Sequence, residues 1–502
     1  MTKWISLTVA ALFFLSTCLT GCGKTQTQQI ETQAQSSQSN SDQMDTTNAS
    51  YGGLFAKDHI VDINVTISED DFNEMLENPL DKTYYRTTVD IDGDTVENVG
   101  ICTKGNLTLK SLANHDSNRY SFGFQFDKYI EDQTYNGIAS FCVNNGYADP
   151  SFLREYLAYE ILNSIGSPTP LCSFAKLSVN GEFYGLYTMV ERTDTHFTER
   201  IFGTTDVLNH YEAETGSTLA SEESLKNFNL LSGNDEEFNE LKTLVDTLSE
   251  LNEENYKEIE NILDVDSVLQ YIAGNVACGS YDSYLSMKSQ NYEFVQYNGK
   301  LYMIPWDYNM AFGGYPSDQG KSRTISIDNP CLDGSIEQLP LLKLIRYPEY
   351  QQRYENYLKQ AVAYLETIED RINNLSSMIR SYVYDDPTKL YTNEDFEEEI
   401  VYKELPVDSE ANGQQGNQPT ENPSPLSSKT TSLQQNSTLP LDGNQQKMGP
   451  PDGNPPEFGS TPPNGEAHGF RGSGHLMKPR IGIMTYALDV LNSLKSQLHI
   501  SE

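Results

Sequence analysis

Three polar residues in the second half of the sequence have the right side chains for phosphoryl transfer. Asp282 lies in the stretch GSYDSY, Asn291 follows in SQNYEF, and Asp307 stands in PWDYNM. An Asn and an Asp offer the oxygen ligands that Mg²⁺ prefers when substrate phosphates complete its octahedral shell. A separate Asp within reach can orient an acceptor hydroxyl and take its proton. These three positions are therefore the first candidates for chemistry.

Each of these residues also has an ordinary structural interpretation. An Asp after Trp306 can cap a turn, and an Asp in a loop is usually solvated. The order Asp282, Asn291, Asp307 nevertheless parallels the catalytic-loop Asp, metal-binding Asn and metal-binding Asp of protein kinases. The sequence has no H-R-D, D-F-G or G-x-G-x-x-G motif. The order alone thus indicates the chemistry without naming a family.

The elements that must position these residues follow from hydrophobic spacing and turn signals. Polar-Gly pairs at 92–93, 180–181 and 298–299 predict three hairpins, the last of which delivers Asp307. Strand patterns dominate the first third of the folded region and helical patterns the last half. This ordering predicts an α+β protein with a β-rich N-terminal lobe and a helical C-terminal lobe. Helical spacing recurs over residues 151–165, 236–263, 266–277 and 341–384, with a break near 348.

The N-terminus predicts export and lipid attachment. Lys3 precedes an apolar run over residues 4–15, and Leu-Thr-Gly then leads to Cys22. This pattern is typical of a bacterial lipoprotein signal peptide, residues 1–21, whose cleavage leaves Cys22 lipidated. A plain secretory signal with an incidental cysteine is the alternative. We expect the mature protein on the outer face of the bacterial cell membrane, in contact with it only through the lipid anchor.

Composition divides the rest of the chain. Residues 22–53 are polar and predict a disordered stalk. Residues 54–400 predict the folded domain, and residues 401–478 are a Pro-, Gly- and Gln-rich linker. Helical spacing returns within residues 479–502. This terminal helix is expected to dock on the helical lobe, the alternative being that it binds a partner.

The charge of the chain argues against two classes of main partner, nucleic acid and anionic lipid. There are 34 Lys and Arg against 72 Asp and Glu, so the formal net charge is −38. Such a surface repels nucleic acid and anionic lipid headgroups. Beyond Cys18 and Cys22, five cysteines remain without a C-x-x-C pair, which argues against a disulfide framework or a zinc site.

Six motifs carry a resemblance to a known family. The sequence resembles the CotH (spore-coat protein H) kinase family, secreted atypical protein kinases with a diverged two-lobed protein-kinase-like fold. The resemblance covers roughly residues 55–390, and the motifs occur in family order. They are CTKGNLTL (102–109), NRYSFGFQFDKY (118–129), NNGYADPSFLREYLAYEI (144–161), SVNGEFYGLYTMVERTD (178–194), YDSYLSMKSQNYEF (281–294) and PWDYNMAFGG (305–314).

The resemblance implies a reaction and its ligands. Asp282 would be the catalytic aspartate, and Asn291 and Asp307 would hold Mg²⁺ or Mn²⁺. The substrates would be ATP and a protein that presents a Ser or Thr hydroxyl. The oligomeric state and the phosphoacceptor protein stay open.

Four further residues receive cofactor-binding roles from the resemblance. Lys104 and Asn106 would lie in a loop over the phosphates, and Glu155 would be the helix glutamate that pairs with a lysine. Glu191 would lie near the inter-lobe hinge where adenine docks. Glu155 as an exposed helix charge and Lys104 as a turn residue are the structural alternatives.

One departure from the family pattern bears on activity. Family members tend to carry a basic residue where this chain has Gly123. If that residue neutralises the α- and β-phosphates, another cation must replace it, and Arg119, Lys104 and Lys128 are the candidates considered. A pseudokinase is the alternative, that is, a non-catalytic surface lipoprotein with a structural or partner-binding role. The chain also differs from the family pattern at Gln125 and Gln290.

A carbohydrate-active enzyme is the third class of function considered. The 31 tyrosines could form sugar-stacking surfaces, and carboxylates are plentiful. Only two tryptophans occur, one of them in the predicted signal peptide, and no acid pair stands out for this role. The sequence favours a kinase over this class.

Overall fold

The computed structural model describes residues 50–405 and 477–501, apart from residues 116, 317 and 319. The predicted signal peptide and Cys22 lie outside the described residues, as do nearly all of the stalk and most of the linker. Export, lipid attachment and the disorder of these segments therefore stay predictions.

Two sheets account for the strands in the part of the chain that the structure describes. The first seven strands close a barrel in the order β1-β2-β3-β4-β5-β7-β6, because β1 pairs in parallel with β6. The other four form a sheet in the order β11-β10-β8-β9. The strands are β1 (Ile60–Thr66), β2 (Tyr85–Ile91), β3 (Asp94–Lys104), β4 (Ser121–Gln125), β5 (Ser140–Asn144), β6 (Cys172–Val179), β7 (Glu182–Glu191), β8 (Asn209–Ala213), β9 (Phe228–Ser232), β10 (Tyr292–Tyr297) and β11 (Lys300–Pro305).

All three predicted hairpins are confirmed. Each turn has an Asp or Asn with positive φ followed by a Gly with positive φ, as a two-residue type I′ turn requires. At the last turn the values are 50° for Asn298 and 76° for Gly299. The turns join β2 to β3, β6 to β7 and β10 to β11.

Successive side chains of the barrel strands point alternately into the barrel core and onto its outer face. Phe122 and Phe124 on β4 lie in the same buried cluster as Phe141 on β5 and Met189 on β7. Since successive side chains of a strand point to opposite faces, the residues between them face outward. The outward face of β3, β4, β5 and β7 forms one wall of the cleft described below.

Helices form most of the second half of the described chain. A helix of 14 residues, Val265–Cys278, is buried on nearly every side and packs against two others, Arg154–Ser164 and Pro348–Leu365. The helices are α1 (Glu69–Glu77), α2 (Leu107–Ala113), α3 (Arg154–Ser164), α4 (Thr195–Phe202), α5 (Asn239–Glu250), α6 (Val265–Cys278), α7 (Pro348–Leu365), α8 (Ile368–Asp385), α9 (Asn393–Glu399) and α10 (Ile483–Gln497). Short 3-10 helices span Ser50–Gly53, Pro79–Asp81, Phe126–Lys128, Glu222–Asn227, Tyr256–Asn261, Lys321–Thr324 and Pro340–Arg346.

The mixed α+β class with a β-rich N-terminal region is confirmed, and two details differ from expectation. The four-stranded sheet interrupts the helical half. Its strands β8 and β9 were not predicted, because each has only five residues and no clear turn signal. The predicted helix over 236–263 is instead the helix α5 and a 3-10 helix separated by residues 251–255.

The terminal helix α10 packs against α6, α7 and α8, which agrees with the docking expected from its sequence. Its Tyr486 is fully buried and fills the space next to two glycines, Gly279 and Gly313. A Cβ atom at either glycine would overlap the Tyr486 ring. The helix therefore supports the segments that carry Asp282 and Asp307.

Two further properties concern the environment of the chain. Of the helices in the described ranges, none has both the length and the apolar character needed to span a membrane. The cysteines at 102, 142, 172, 278 and 331 are all free thiols. They lie mainly in the core, as expected for small buried side chains.

Candidate active site

The two predicted metal ligands lie at the same end of the β10–β11 hairpin. Tyr292, the first residue of β10, pairs with Pro305, the last residue of β11. Asn291 precedes this pair on one strand and Asp307 follows it on the other. The Trp306 N–H donates to the Asn291 carbonyl at 3.3 Å, which extends the pairing by one step. The register of the hairpin thus brings the two residues together.

Both residues have an unusual backbone conformation. The φ angles are 61° at Asn291 and 56° at Asp307, in the left-handed region. This region is costly for residues other than glycine, although Asn and Asp tolerate it better than most. Conformations of this kind concentrate at functional sites, where the surrounding structure holds them.

Asp282 lies four residues beyond the end of helix α6 and in contact with Asn291. The helix ends at Gly279, whose φ of 57° and N–H bonds to the carbonyls of Asn275 and Val276 reverse the chain. The Asp282 carboxylate accepts a hydrogen bond from Gln290 Nε2 at 2.8 Å and one from Asn291 Nδ2 at 3.2 Å. These contacts fix its orientation.

Three carboxyl groups share this region and affect one another. Burial and the nearby Asp307 charge raise the pKa of Asp282 to about 7. Burial also raises the pKa of Asp307, although the Lys104 ammonium opposes this. For Glu155, burial and the Asp307 charge raise the pKa to about 7. Burial and mutual repulsion thus disfavour the charged forms of these carboxyl groups, and a cation bound among them would favour those forms.

Lys104 and Glu155 are connected through an amide. Lys104 Nζ donates to Asn144 Oδ1 at 2.8 Å, and Asn144 Nδ2 donates to both Glu155 carboxylate oxygens, at 3.0 and 2.8 Å. Glu155 is buried in the first turn of α3, so the alternative of an exposed helix charge is wrong. Lys104 Nζ also lies 5.4 Å from the centre of the Trp306 ring. The amide places one cation beside the carboxyl group of Glu155 without a direct ion pair.

A cleft of about 540 Å³ contains these groups. One wall is the outward face of the barrel and the opposite wall is the four-stranded sheet with the segments around Asp282 and Asp307. Glu212 on β8 also lines the cleft, where burial and the charges of Glu293 and Glu214 raise its pKa to about 7. Six predicted site residues line it: Lys104, Asn106, Glu155, Asp282, Asn291 and Asp307.

Asn106 lies at the exposed margin of the cleft, directly before helix α2. Its Oδ1 accepts a hydrogen bond from Lys82 Nζ at 3.1 Å. Burial lowers the pKa of Lys82. This contact adds a second cation to the margin that the predicted phosphate loop forms.

Glu191 is placed differently from the sequence expectation. Its carboxylate is fully buried and is not among the groups lining the cleft. It accepts hydrogen bonds from Arg200 Nη2 at 2.5 Å, the Tyr51 hydroxyl at 2.8 Å and the Leu171 N–H at 2.9 Å. These contacts tie β7 to helix α4 and to the start of the described chain. We therefore assign the Glu191 side chain to the fold and not to a ligand.

Several residues of the site were missed in the sequence. Asn144 opens one of the six motifs, but its amide signals nothing until the fold places it between Lys104 and Glu155. Gln290 drew notice only as a departure from the family, whereas the structure shows it bonded to Asp282. No local signal singled out Lys82, because only the fold brings it near Asn106.

Comparison with known proteins gives consistent results. Residues 101–407 match the family described as CotH kinase protein. The chain is 25% identical over 293 residues to the inner spore coat protein H of Bacillus subtilis, covering 54% of this chain and 76% of that protein.

Two fungal proteins also match. In Rhizopus delemar, the spore coat protein homolog 1 and the invasin CotH7 are each 21% identical over 324 residues. The match covers 62% of this chain in both cases, and it spans 51% and 52% of those proteins, about half of their length. The family match extends over more than half of the chain and includes every cleft residue from Lys104 to Asp307. The chain therefore belongs to the CotH kinase protein family.

Proposed function

We propose that this protein is an ATP-dependent protein kinase that phosphorylates Ser or Thr residues of surface or secreted proteins. The observation that carries the proposal is the meeting of Asp282, Asn291 and Asp307 at one cleft, opposite Lys104 and Glu155. This is the arrangement of catalytic base, metal ligands and phosphate-facing cation that phosphoryl transfer requires. The closed barrel and the helical region would act as the two lobes of a diverged kinase-like fold around this cleft.

The residues present fit a divalent cation. Asn291 uses its side-chain nitrogen to hydrogen-bond Asp282, so the amide oxygen is the atom that a metal ion would bind. Asp307 would supply the second oxygen ligand. Two protein oxygens fill only part of an octahedral shell, which the phosphates of ATP would complete. Bound Mg²⁺ or Mn²⁺ would neutralise charge on the phosphates.

The chain's own residues would perform the transfer as follows. Asp282, held by Gln290 and Asn291, orients the acceptor hydroxyl and takes its proton. The hydroxyl oxygen forms a bond to the γ-phosphorus of ATP, and the bond from that phosphorus to the bridging oxygen of ADP breaks. Lys104, positioned by Asn144, faces the phosphates from the other wall.

The setting proposed is the outer face of the bacterial cell membrane, with attachment through lipid on Cys22. Two of the relatives are named for the spore coat and one as an invasin. We propose that this protein also acts at a surface, with ATP and a surface or secreted protein as its partners.

Transfer from labelled ATP tests the proposal. The full-length chain, supplied with Mg²⁺ or Mn²⁺, should incorporate label into itself or into a generic Ser/Thr acceptor protein. Asp307→Ala should lower the rate by at least about 100-fold, because it removes a ligand of the charge-neutralising cation. Asp282→Asn should lower the rate by about 100-fold or more while leaving ATP binding almost unchanged, because it removes the proton acceptor.

Asp246→Ala is the matched control, since Asp246 lies exposed on helix α5 and distant in sequence from the site. It should keep the wild-type rate. The alternative function is a non-catalytic surface protein on the same scaffold, which the loss of a basic residue at Gly123 favours. Equal incorporation by wild type and Asp307→Ala, or none by wild type, would favour that alternative.

A further inference from the structure

Position 123 faces the cleft. Its neighbours on β4, Phe122 and Phe124, point into the barrel core, so position 123 points outward. Gly123 pairs with Cys102 on β3 and with Cys142 on β5, and Cys142 lines the cleft. A basic side chain at this position would therefore project towards the proposed nucleotide. Ser121 and Gln125, which share this face of β4, line the cleft, whereas Gly123 itself is buried.

Two of the three replacements considered from the sequence are wrong. Arg119 is fully buried and pairs with Asp386 at 2.8 Å, away from the cleft. Lys128 lies over the Tyr84 ring, 4.5 Å from its centre, and does not line the cleft. Lys104 does line it, but its ammonium is held by Asn144, which is two residues along β5 from Cys142, the partner of Gly123.

Arg192 is a further cation on the cleft wall near Gly123, and its local sequence gives no sign of this. It follows β7, the strand next to β5, and it lines the cleft. Tyr187 and Met189 point into the barrel core, so Thr188, Val190 and position 192 alternate onto the outward face.

Three neighbours locate the guanidinium group of Arg192 near Gly123. Its Nη1 lies 3.5 Å from Oε1 of Gln125, which is two residues from Gly123 on the same face of β4. The groups that interact electrostatically with it include the thiols of Cys142 and Cys102, the two partners of Gly123 in the sheet. Burial opposes the charge of Arg192, but these thiols, Tyr84 and Asp194 raise its pKa. The cation thus lies beside the glycine and stays charged.

We propose that Arg192, which lies beside Gly123 on the cleft wall, binds the polyphosphate of the nucleotide. This inference rests on the proposed kinase function. A guanidinium group presents a planar set of donors that matches phosphate oxygens in pairs. Lys104 pairs with Ser121, which is two residues from Gly123 on β4, so Lys104 and Gly123 are diagonal neighbours about 7–8 Å apart. Cations at these two places could contact different phosphates of one polyphosphate. The positive charge of Arg192 lies at the end of β7, whereas a basic side chain at position 123 would start from β4.

The chemistry of the cleft makes such a cation necessary. Its other wall carries Glu212, Glu214, Asp282 and Asp307, and the whole chain has a net charge of −38. A polyphosphate entering this field is repelled unless positive groups face it. Lys82 and Lys104 supply charge near Asn106 and Asn144, and Arg192 supplies it further along the same wall.

Nucleotide binding by charge-relocation variants tests the inference. The full-length chain is titrated with a non-hydrolysable ATP analogue in the presence of Mn²⁺, and separately with adenosine. Arg192→Gln should weaken binding of the ATP analogue by about 10-fold or more, because one charge-assisted contact is lost. Binding of adenosine should stay the same. Arg192→Lys, which keeps the charge, should lose less.

The decisive measurement uses a double variant that removes the charge at position 192 and adds one at position 123. Arg192→Gln combined with Gly123→Lys should restore most of the lost affinity, since the lysine would enter the same space from β4. Gly123 does not have a positive φ, so a side chain is compatible with its backbone. Arg346→Gln is the matched control, because Arg346 is exposed and does not line the cleft. It should bind like wild type.

The outcomes separate this inference from the proposed function. Equal affinity of wild type and Arg192→Gln for the ATP analogue, in a protein that still transfers phosphate, overturns only the role of Arg192. Equal weakening for the analogue and for adenosine overturns the polyphosphate contact. Absence of both binding and transfer in wild type overturns the inference together with the kinase proposal.

Discussion

The amide of Asn144 is the smallest feature on which the proposed site depends. Its oxygen accepts from Lys104, and its nitrogen donates to both oxygens of Glu155. In protein kinases the corresponding lysine and helix glutamate pair directly. Here the Lys104 ammonium is not paired directly with a carboxylate, so its charge can act on a ligand. Glu155 of helix α3 still orients it through the Asn144 amide.

Replacement of Asn144 by leucine should separate these roles. Asn144→Leu has nearly the same size but removes the acceptor of Lys104 and the donors of Glu155. We expect kcat/KM for phosphoryl transfer to fall by about 10-fold or more, as one charged hydrogen bond contributes about 1.5 kcal/mol. Asn163→Leu is the control, because Asn163 is exposed on helix α3, the helix that carries Glu155. It should retain activity. Unchanged kinetics in Asn144→Leu would show that Lys104 needs no such support.

Some residues of the site could be predicted from the sequence and others could not, and the difference has a physical reason. Asp282, Asn291 and Asp307 were recognisable because they belong to one continuous segment joined by a hairpin with a clear turn signal. Asn144 and Arg192 were not, because their roles arise from register across strands that are distant in sequence. The burial of the Glu191 side chain against Arg200 could not be predicted for the same reason, because it depends on how β7 meets helix α4.

At the scale of elements, two loops and one helix form a single packed unit. Gly279 ends helix α6 before Asp282, and Gly313 lies beyond Asp307. The Phe312 N–H donates to the Cys278 carbonyl at 2.7 Å, which joins the two segments. Tyr486 of α10 packs against both glycines and donates its hydroxyl to Asp318 at 3.2 Å.

A pair of glycine variants tests this packing. Gly279→Ala places a Cβ against the Tyr486 ring at a position with φ of 57°. Gly299→Ala adds a Cβ at a position with φ of 76°, where no atom lies within 4 Å. Both pay the cost of a left-handed residue, about 1 kcal/mol. Only Gly279→Ala also overpacks the core, so its free energy of unfolding should fall by about 2–4 kcal/mol in total.

Urea denaturation followed by circular dichroism measures the difference between the two variants. The expected result is a lower midpoint for Gly279→Ala than for Gly299→Ala. Similar midpoints would mean that Tyr486 moves aside without cost. The docking of α10 could be predicted from its helical spacing, but its target could not, because nothing in the local sequence of Gly279 specifies a tyrosine more than two hundred residues later.

At the scale of the whole molecule, a buried ion pair ties the barrel to the helical region. Arg119, before β4, donates to Asp386 at the end of α8 at 2.8 Å, and both side chains are fully excluded from solvent. Arg119 Nε also donates to the Asn145 carbonyl at 2.7 Å. Asp386 accepts from the Leu186 N–H at 2.9 Å. The pair therefore joins segments from both halves of the described chain.

Removal of one partner should destabilise the protein strongly. Arg119→Met leaves the Asp386 carboxylate buried without its cation, and the free energy of unfolding should fall by about 3–5 kcal/mol. Arg119→Met combined with Asp386→Leu should recover part of this loss, because no buried charge then lacks a partner. Thermal and urea unfolding of the three proteins measure the effect. Lys226→Met, which breaks an exposed pair with Glu223, is the control and should unfold like wild type.

The closed barrel was the largest feature of the fold that sequence patterns did not indicate. The hairpins within it were predictable, because their turns are local. Its closure depends on the parallel pairing of β1 with β6, which joins Ile60 to Phe174 across more than one hundred residues. Such pairing leaves no turn signal. The acidic composition likewise gave no hint that cations would gather on one wall of a cleft.

The position of Tyr486 has a consequence for how the protein is made. A ribosome delivers a chain from its amino end, so the loops that bear Asp282 and Asp307 emerge well before helix α10. Until that helix is synthesised, the space beside Gly279 and Gly313 has no ring to fill it. Any product that terminates before residue 486 would thus carry every candidate catalytic side chain but lack the tyrosine ring that packs beneath their loops.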